Sequence, residues 1–188
     1  MATITAGRAL QDRDAIGGIK AVYVVTTSAD AVLLLDDANC TRASNAISTT
    51  SVSSGKAYKL AILRGAGGFT QSVEGSLDNG TYSYNMSLEF TLHKIDVATQ
   101  TLIDALAKTR STLLIHDNND NVIAAGFGNG MEMVGGSFQT GAGFGELNGT
   151  TMAFEGRETF PAPFLAATAG VGTTNYPLDG LTASFTIQ

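Results

Sequence analysis

Apolar and polar side chains alternate most cleanly between Thr81 and His93. Tyr82, Tyr84, Met86, Leu88, Phe90 and Leu92 fall on one side, and Ser83, Asn85, Ser87, Glu89, Thr91 and His93 on the other. A period of two over that length predicts a strand about twice as long as usual, with one face buried and the other wet or polar-paired. The period then changes. Val97, Ala98, Leu102, Ile103, Ala105 and Leu106 recur at three- and four-residue spacing, which predicts a helix over residues 96–109. Asp96 is placed to cap it, and Lys108 and Arg110 sit where cations favour the dipole. So short a helix is marginal alone and must pack against a sheet.

Upstream, residues 19–26 are rich in β-branched and aromatic side chains and read as a strand. Residues 31–35 form a solid apolar run, which predicts a second strand, buried on both faces and paired with the first around Ser28-Ala29-Asp30. Residues 36–55 are mostly Ser, Thr, Asn and Asp, with Ile47 and Val52 as isolated apolar positions. They predict a long inter-strand loop or ribbon that orders on a partner. Strands are expected over 57–64 and 69–74, with a turn at Asp78-Asn79-Gly80.

Downstream of the helix, residues 112–116 and 122–126 predict a hairpin around Asp117-Asn118-Asn119-Asp120-Asn121. The glycines from Gly126 to Gly149 predict bends, bulges or close backbone approach. A strand is expected over 150–155. Pro161 and Pro163 end the ordered core, and residues 181–187 alternate as a strand or strand-forming tail. Residues 1–18 read as an arm whose Arg8, Arg13 and Asp14 are free to pair with a neighbour. The expectation is a mainly β chain: a β-sandwich or barrel protomer with one flanking α-helix, a long inter-strand loop and terminal arms. It forms a single domain over 1–188, with its core at 19–160 and a C-terminal tail at 161–188.

Composition sharpens this picture. Only 15% of the 188 residues are charged, against about 25% in an ordinary domain, and the net charge is −6. A surface poor in charge suits repeated protein–protein packing. The eleven basic residues are scattered singly, so no surface grips phosphates tightly, while an acidic wall would repel a passing polyanion. The single Cys40 precludes an internal disulfide. No apolar run is long enough to span a bilayer as a helix, and residues 1–18 lack the apolar centre of a secretory leader. The expectation is a protein made in the cytoplasm, not secreted, with no membrane segment.

No chemistry-bearing constellation stands out, and neither catalysis nor a cofactor is expected. Residues 117–121 alternate oxygen ligands as a calcium loop does, but Val122 stands where the glycine is required, and Gly128 where the closing glutamate is required. The glycine clusters lack both dinucleotide spacing and a following Gly-Lys-Ser/Thr. Cys40, His93 and His116 are too few and too dispersed to suggest a zinc site or a cysteine nucleophile. Glu155 and Glu158 flank Arg157, which reads as surface or inter-subunit ion pairing rather than an acid–base dyad.

Residues 82–158 resemble the phage tail tube proteins of long-tailed bacteriophages. The resemblance rests on five features: the long strand into Leu92-His93-Lys94-Ile95, the helix over 96–109, the strand Leu113-Leu114-Ile115-His116-Asp117, the run from Gly130 to Gly141, and the ending Thr151-Met152-Ala153-Phe154-Glu155-Gly156-Arg157-Glu158. It implies a virion structural protein that forms hexameric rings, stacked into a helical tube through which viral DNA is ejected without specific binding. Its partners would be itself and other tail proteins. The inner sheets would close into a barrel across subunits, with residues 36–55 as the stacking loop. Six copies would together carry about −36, so charge must be spread or paired for stacking. Arg8, Arg13, Ile47, Val52, Glu155 and Arg157 are the residues expected at oligomer interfaces. Two other readings stay open at this point. One is another virion component such as a tail terminator, connector or decoration protein. The other is a monomeric β-sandwich binding module, disfavoured by the absence of Trp.

Overall fold

The computed structural model describes residues 7–8, 13–52, 54–76, 78–166, 175–179, 181 and 185–188. The strands are β1 (Ile19–Thr26), β2 (Cys40–Ala43), β3 (Ala46–Thr50), β4 (Lys56–Ala61), β5 (Gly67–Ser76), β6 (Thr81–His93), β7 (Leu113–Asp117), β8 (Val122–Ala125), β9 (Glu132–Gln139), β10 (Gly149–Glu158), β11 (Phe164–Leu165) and β12 (Thr186–Ile187). One helix, α1 (Val97–Ala107), lies between β6 and β7. Among the described residues the chain is mainly β, with two sheets and a single helix, as a β-sandwich protomer requires.

The larger sheet runs β12-β4-β1-β7-β8-β11-β3-β2, and the smaller runs β5-β6-β10-β9. Their facing sides form one core. Val22, Val24, Leu113 and Ile115 meet Met86, Leu88, Phe90, Met152 and Phe154, and Leu106 of α1 joins them. Phe90 and Phe154 stack with centroids 6.0 Å apart and planes 9° from parallel. Each such buried side chain contributes roughly 1.5–3 kcal/mol. A second core covers the opposite face of the larger sheet: Ala21, Tyr23, Val25, Leu114, Val122 and Ala124 pack against Leu35, Ile47, Phe127, Leu165, Leu178 and Phe185. Burial on both faces explains why β1 reads as an almost unbroken apolar run.

Several expectations were met within a residue or two. The long strand spans Thr81–His93, and Asp96 caps α1 by accepting from Thr99 N–H at 2.6 Å. In the β7–β8 turn the Asp117 carboxylate accepts from the backbone N–H groups of Asn119 and Asn121, each at 2.8 Å. Gly126 has φ +72°, and a Cβ there would meet Met131 N at 2.5 Å, so no other residue fits without moving the backbone.

Three expectations are corrected. Residues 31–35 form no strand: one bridge, Thr26–Val32, links them to β1, and Leu35 is held instead by its N–H donating to the buried Thr112 hydroxyl at 2.8 Å. The Thr112 hydroxyl donates onward to Gly126 O at 3.0 Å, so a side chain replaces the ladder. Residues 36–55 are not a free loop. They contain the β2–β3 hairpin, and β3 is fixed to the larger sheet by β11. Pro161 and Pro163 do not end the ordered core, because β11 and β12 join the larger sheet and Leu178, Leu181 and Phe185 are buried; of the strand expected over 181–187, β12 takes up Thr186–Ile187, and residues 182–184 lie outside the described residues. Of the expected N-terminal arm, residues 1–6 and 9–12 lie outside the described residues. At its base, Ile16 N–H donates to Asn119 Oδ1 at 2.8 Å and Asn118 Nδ2 donates to Gly17 O at 2.7 Å.

Candidate functional site

The smaller sheet is the feature best placed to act on something outside the protomer. Its four strands alternate in direction through full ladders, from Gly67↔Phe90 to Ser76↔Thr81 and from Gly149↔His93 to Glu158↔Tyr84. Among the described residues, no strand pairs with the outer edge of β5. Beside β9 there is a single bridge, Ser111–Met131, just before its first residue. Both edge strands are exposed along most of their length. β9 also carries a bulge opposite Ala153 and Phe154, and Gly135 and Gly136 leave its backbone uncovered. Unpaired N–H and C=O groups in such rows are templates for another strand.

The two faces of this sheet differ sharply. One is the apolar core. Register places Thr70, Ser72, Glu74, Ser83, Asn85, Ser87, Glu89, Thr91, Thr151, Glu155, Arg157, Glu132 and Ser137 on the other. Four carboxylates, Glu74, Glu89, Glu132 and Glu155, face one guanidinium, Arg157, so the strands give this surface a net charge of −3. Arg157 reaches over β6 to Glu74 at 3.8 Å, and Arg110 hydrogen-bonds Glu132 from outside the sheet. Both pairs are exposed and contribute little to stability. Glu132 lies directly opposite Glu155 in the ladder, a like-charge pairing that costs stability and keeps the face acidic.

The expected interface residues fall into three groups. Glu155 and Arg157 lie on the wet face of the smaller sheet. Arg8 and Arg13 are exposed near the N-terminus. Ile47 is fully buried in the second core and Val52 packs partly against it, so their side chains serve this chain's own packing. Glu158 also departs from its expected surface role. It is buried, accepts from Asn129 N–H at 2.8 Å, and its carboxyl is pushed above the usual range by burial.

A compact polar cluster lies elsewhere. Asp120 accepts from Lys20, from the Tyr176 hydroxyl at 2.6 Å and from His116 Nε2 at 3.1 Å. The Lys20 contact leads in lowering its carboxyl to about 2. His116 is buried and held below its ordinary value by desolvation. The ionised Asp120 has no proton to give, so His116 Nε2 carries the hydrogen. These groups satisfy one another, and the cluster reads as a structural clamp. Among the described residues, no group of three or more His, Cys, Asp or Glu is arranged to hold a metal ion. No described helix is long and apolar enough to cross a membrane.

Sequence reasoning anticipated the apolar side of this sheet from the alternation in Thr81–His93. It missed the open edge at β9, whose glycines were legible only as bends. Compared with protein-family models, curated proteins and solved structures, the chain matches none.

Proposed function

We propose that this chain is a structural protein that joins its own copies edge to edge into closed rings, and that the rings stack into the tail tube of a long-tailed phage. The observation that carries the reading is the four-stranded antiparallel sheet with two exposed edges and one acidic, polar face. Because the strand number is even, β5 and β9 run in opposite directions. Copies in the same orientation therefore pair β9 of one against β5 of the next as a regular antiparallel ladder. Repeated around an axis, this joint closes and removes every edge of the smaller sheet.

Six copies, the number the family resemblance implies, would contribute twenty-four strands. A barrel of that size, with strands about 4.8 Å apart and tilted about 40°, measures roughly 45–50 Å across its backbone. Such a barrel admits a DNA duplex. With the apolar face turned outward onto the larger sheet, the acidic face lines the lumen, and a polyanion passes without adhering.

Negative-stain microscopy and amide exchange across a concentration series test the proposal together. Rings or tubes should form as concentration rises, with β5 and β9 amides becoming protected while β6 and β10 stay protected throughout. A monomer at high concentration whose β5 and β9 amides are already slow to exchange would sink it.

A further inference from the structure

Three asparagines in this chain are followed by glycine: Asn79-Gly80, Asn129-Gly130 and Asn148-Gly149. In each pair the glycine N can attack the side-chain carbonyl carbon of the asparagine before it, because glycine has no side chain to hinder the approach. The attack needs a glycine N–H that is not engaged, an asparagine amide free to swing onto it and a backbone free to turn between them. Folding decides which pairs meet those conditions.

Two pairs are clamped. The Glu158 carboxylate accepts from Asn129 N–H at 2.8 Å and also from Gly130 N–H, the attacking group. Asn129 Nδ2 donates to Arg157 O at 3.0 Å. Asn148 Oδ1 accepts from Ile95 N–H at 3.3 Å, its Nδ2 donates to Thr140 O at 3.4 Å, and its backbone O accepts from Lys94 N–H at 2.8 Å. Gly130 and Gly149 are both buried. A Cβ on Gly149 would meet Leu92 O at 2.3 Å, and one on Gly130 would meet Arg110 Cβ at 2.9 Å. Either pair must open locally before it can react.

Asn79-Gly80 is open. It lies in the β5–β6 turn, beyond the Ser76–Thr81 pair that ends the ladder, and Asp78, Asn79 and Gly80 are all exposed. Among the described residues, no group hydrogen-bonds the Asn79 side chain or accepts from Gly80 N–H. Asn79 N–H makes only a long contact, 3.4 Å, with the Ser76 hydroxyl. Apart from its chain neighbours, no described atom stands within 4 Å of where a Gly80 Cβ would be.

We propose that Asn79 is a site of spontaneous covalent modification, converting to aspartyl and isoaspartyl residues in the folded protein while Asn129 and Asn148 are spared. Gly80 N bonds to Asn79 Cγ and gives up its proton. The Cγ–Nδ2 bond breaks, and ammonia leaves with that proton, so that a five-membered succinimide ring remains. Water then adds to one of the two ring carbonyl carbons, and the bond from that carbon to Gly80 N breaks. Opening at Cγ gives aspartate. Opening at the backbone carbonyl gives isoaspartate, whose main chain runs through the former side-chain carbon. Nothing is oxidised or reduced, and solvent water is the only co-reactant. Either product places one new carboxylate beside Asp78, and one further negative charge takes the chain from −6 to −7.

The test holds the native chain in mildly alkaline buffer and follows the three Asn-Gly peptides by digestion and mass spectrometry. Asn79 should convert at least about tenfold faster than Asn129 or Asn148, a difference of about 1.4 kcal/mol between the barriers. In urea-unfolded chain the three should convert at similar rates. A native margin below tenfold, or the same order of rates in the unfolded chain, would overturn the assignment to the open turn. Asn79→Gln changes only an exposed turn residue and leaves the fold intact. It should abolish the first acidic species seen on ion exchange, and an acidic species that still forms at the native rate would place the modification elsewhere.

Discussion

The Tyr176 hydroxyl donates to Asp120 Oδ1 at 2.6 Å, and the Tyr176 ring meets His116 edge to face at 5.6 Å. This contact ties residues near the C-terminus to the β7–β8 turn. Lys20 and then Tyr176 hold the Asp120 carboxyl near 2, below the roughly 3.9 of an unfolded chain. A lowered acid stabilises the fold above the unfolded value and stops doing so as pH falls through the folded one. The stabilisation is therefore fully present above about pH 4 and is lost toward pH 2. In Tyr176→Phe the Asp120 carboxyl should titrate higher, and the urea midpoint should fall clearly more at pH 7 than at pH 2. Solvent exposure of Asp120 limits the change to about 0.5–1 kcal/mol. Carboxyl NMR titration and urea unfolding at the two pH values read both effects.

Phe154 stands at the centre of the contact between the sheets, stacked on Phe90 and 1% exposed. Phe154→Ala removes the ring from a packed site that cannot close over the space, at a cost of about 3–5 kcal/mol. Chemical denaturation should show this loss. An effect below about 1 kcal/mol would mean that the two sheets are not packed as described.

Cys40 is 7% exposed, and burial pushes its thiol above the ordinary value. A thiol that is both covered and protonated reacts slowly. Aromatic disulfide reagents should therefore modify the native chain only at the rate of unfolding and the denatured chain at once. Fast modification of the native chain would show that β2 opens readily from the larger sheet.

The wet face of the smaller sheet carries −3 from four carboxylates and Arg157. Reversing Glu89 and Glu155 to Lys changes that to +1. The native chain should show no retention on duplex DNA, and the double variant should bind it with an affinity that falls steeply with salt. Salt-sensitive DNA binding by the native chain would remove the physical reason for an acidic conduit.

The strand Thr81–His93, the Asp96 cap and the β7–β8 turn were legible because each is set by its own residues. Alternation fixes which side of a strand is apolar, and a carboxylate beside free N–H groups caps a helix wherever that helix packs. The strands within residues 36–55, the strand β11 and the sheet position of β12 were not legible in this way. β3 is a strand because β11 lies beside it, and β12 because β4 does, and those partners are remote in the chain. Leu35 likewise owes its place to Thr112, which no local pattern connects to it.

By itself, the order of residues determined the class of fold, the element at each strongly periodic stretch and the low, scattered charge of the surface. Only the tertiary structure decided which strands are left at the margins. A strand is an edge when nothing else in the folded chain hydrogen-bonds its outer side, and that depends on every other strand rather than on its own residues. Once folding had left β5 and β9 exposed, the polar half of the alternation became one continuous acidic surface between them.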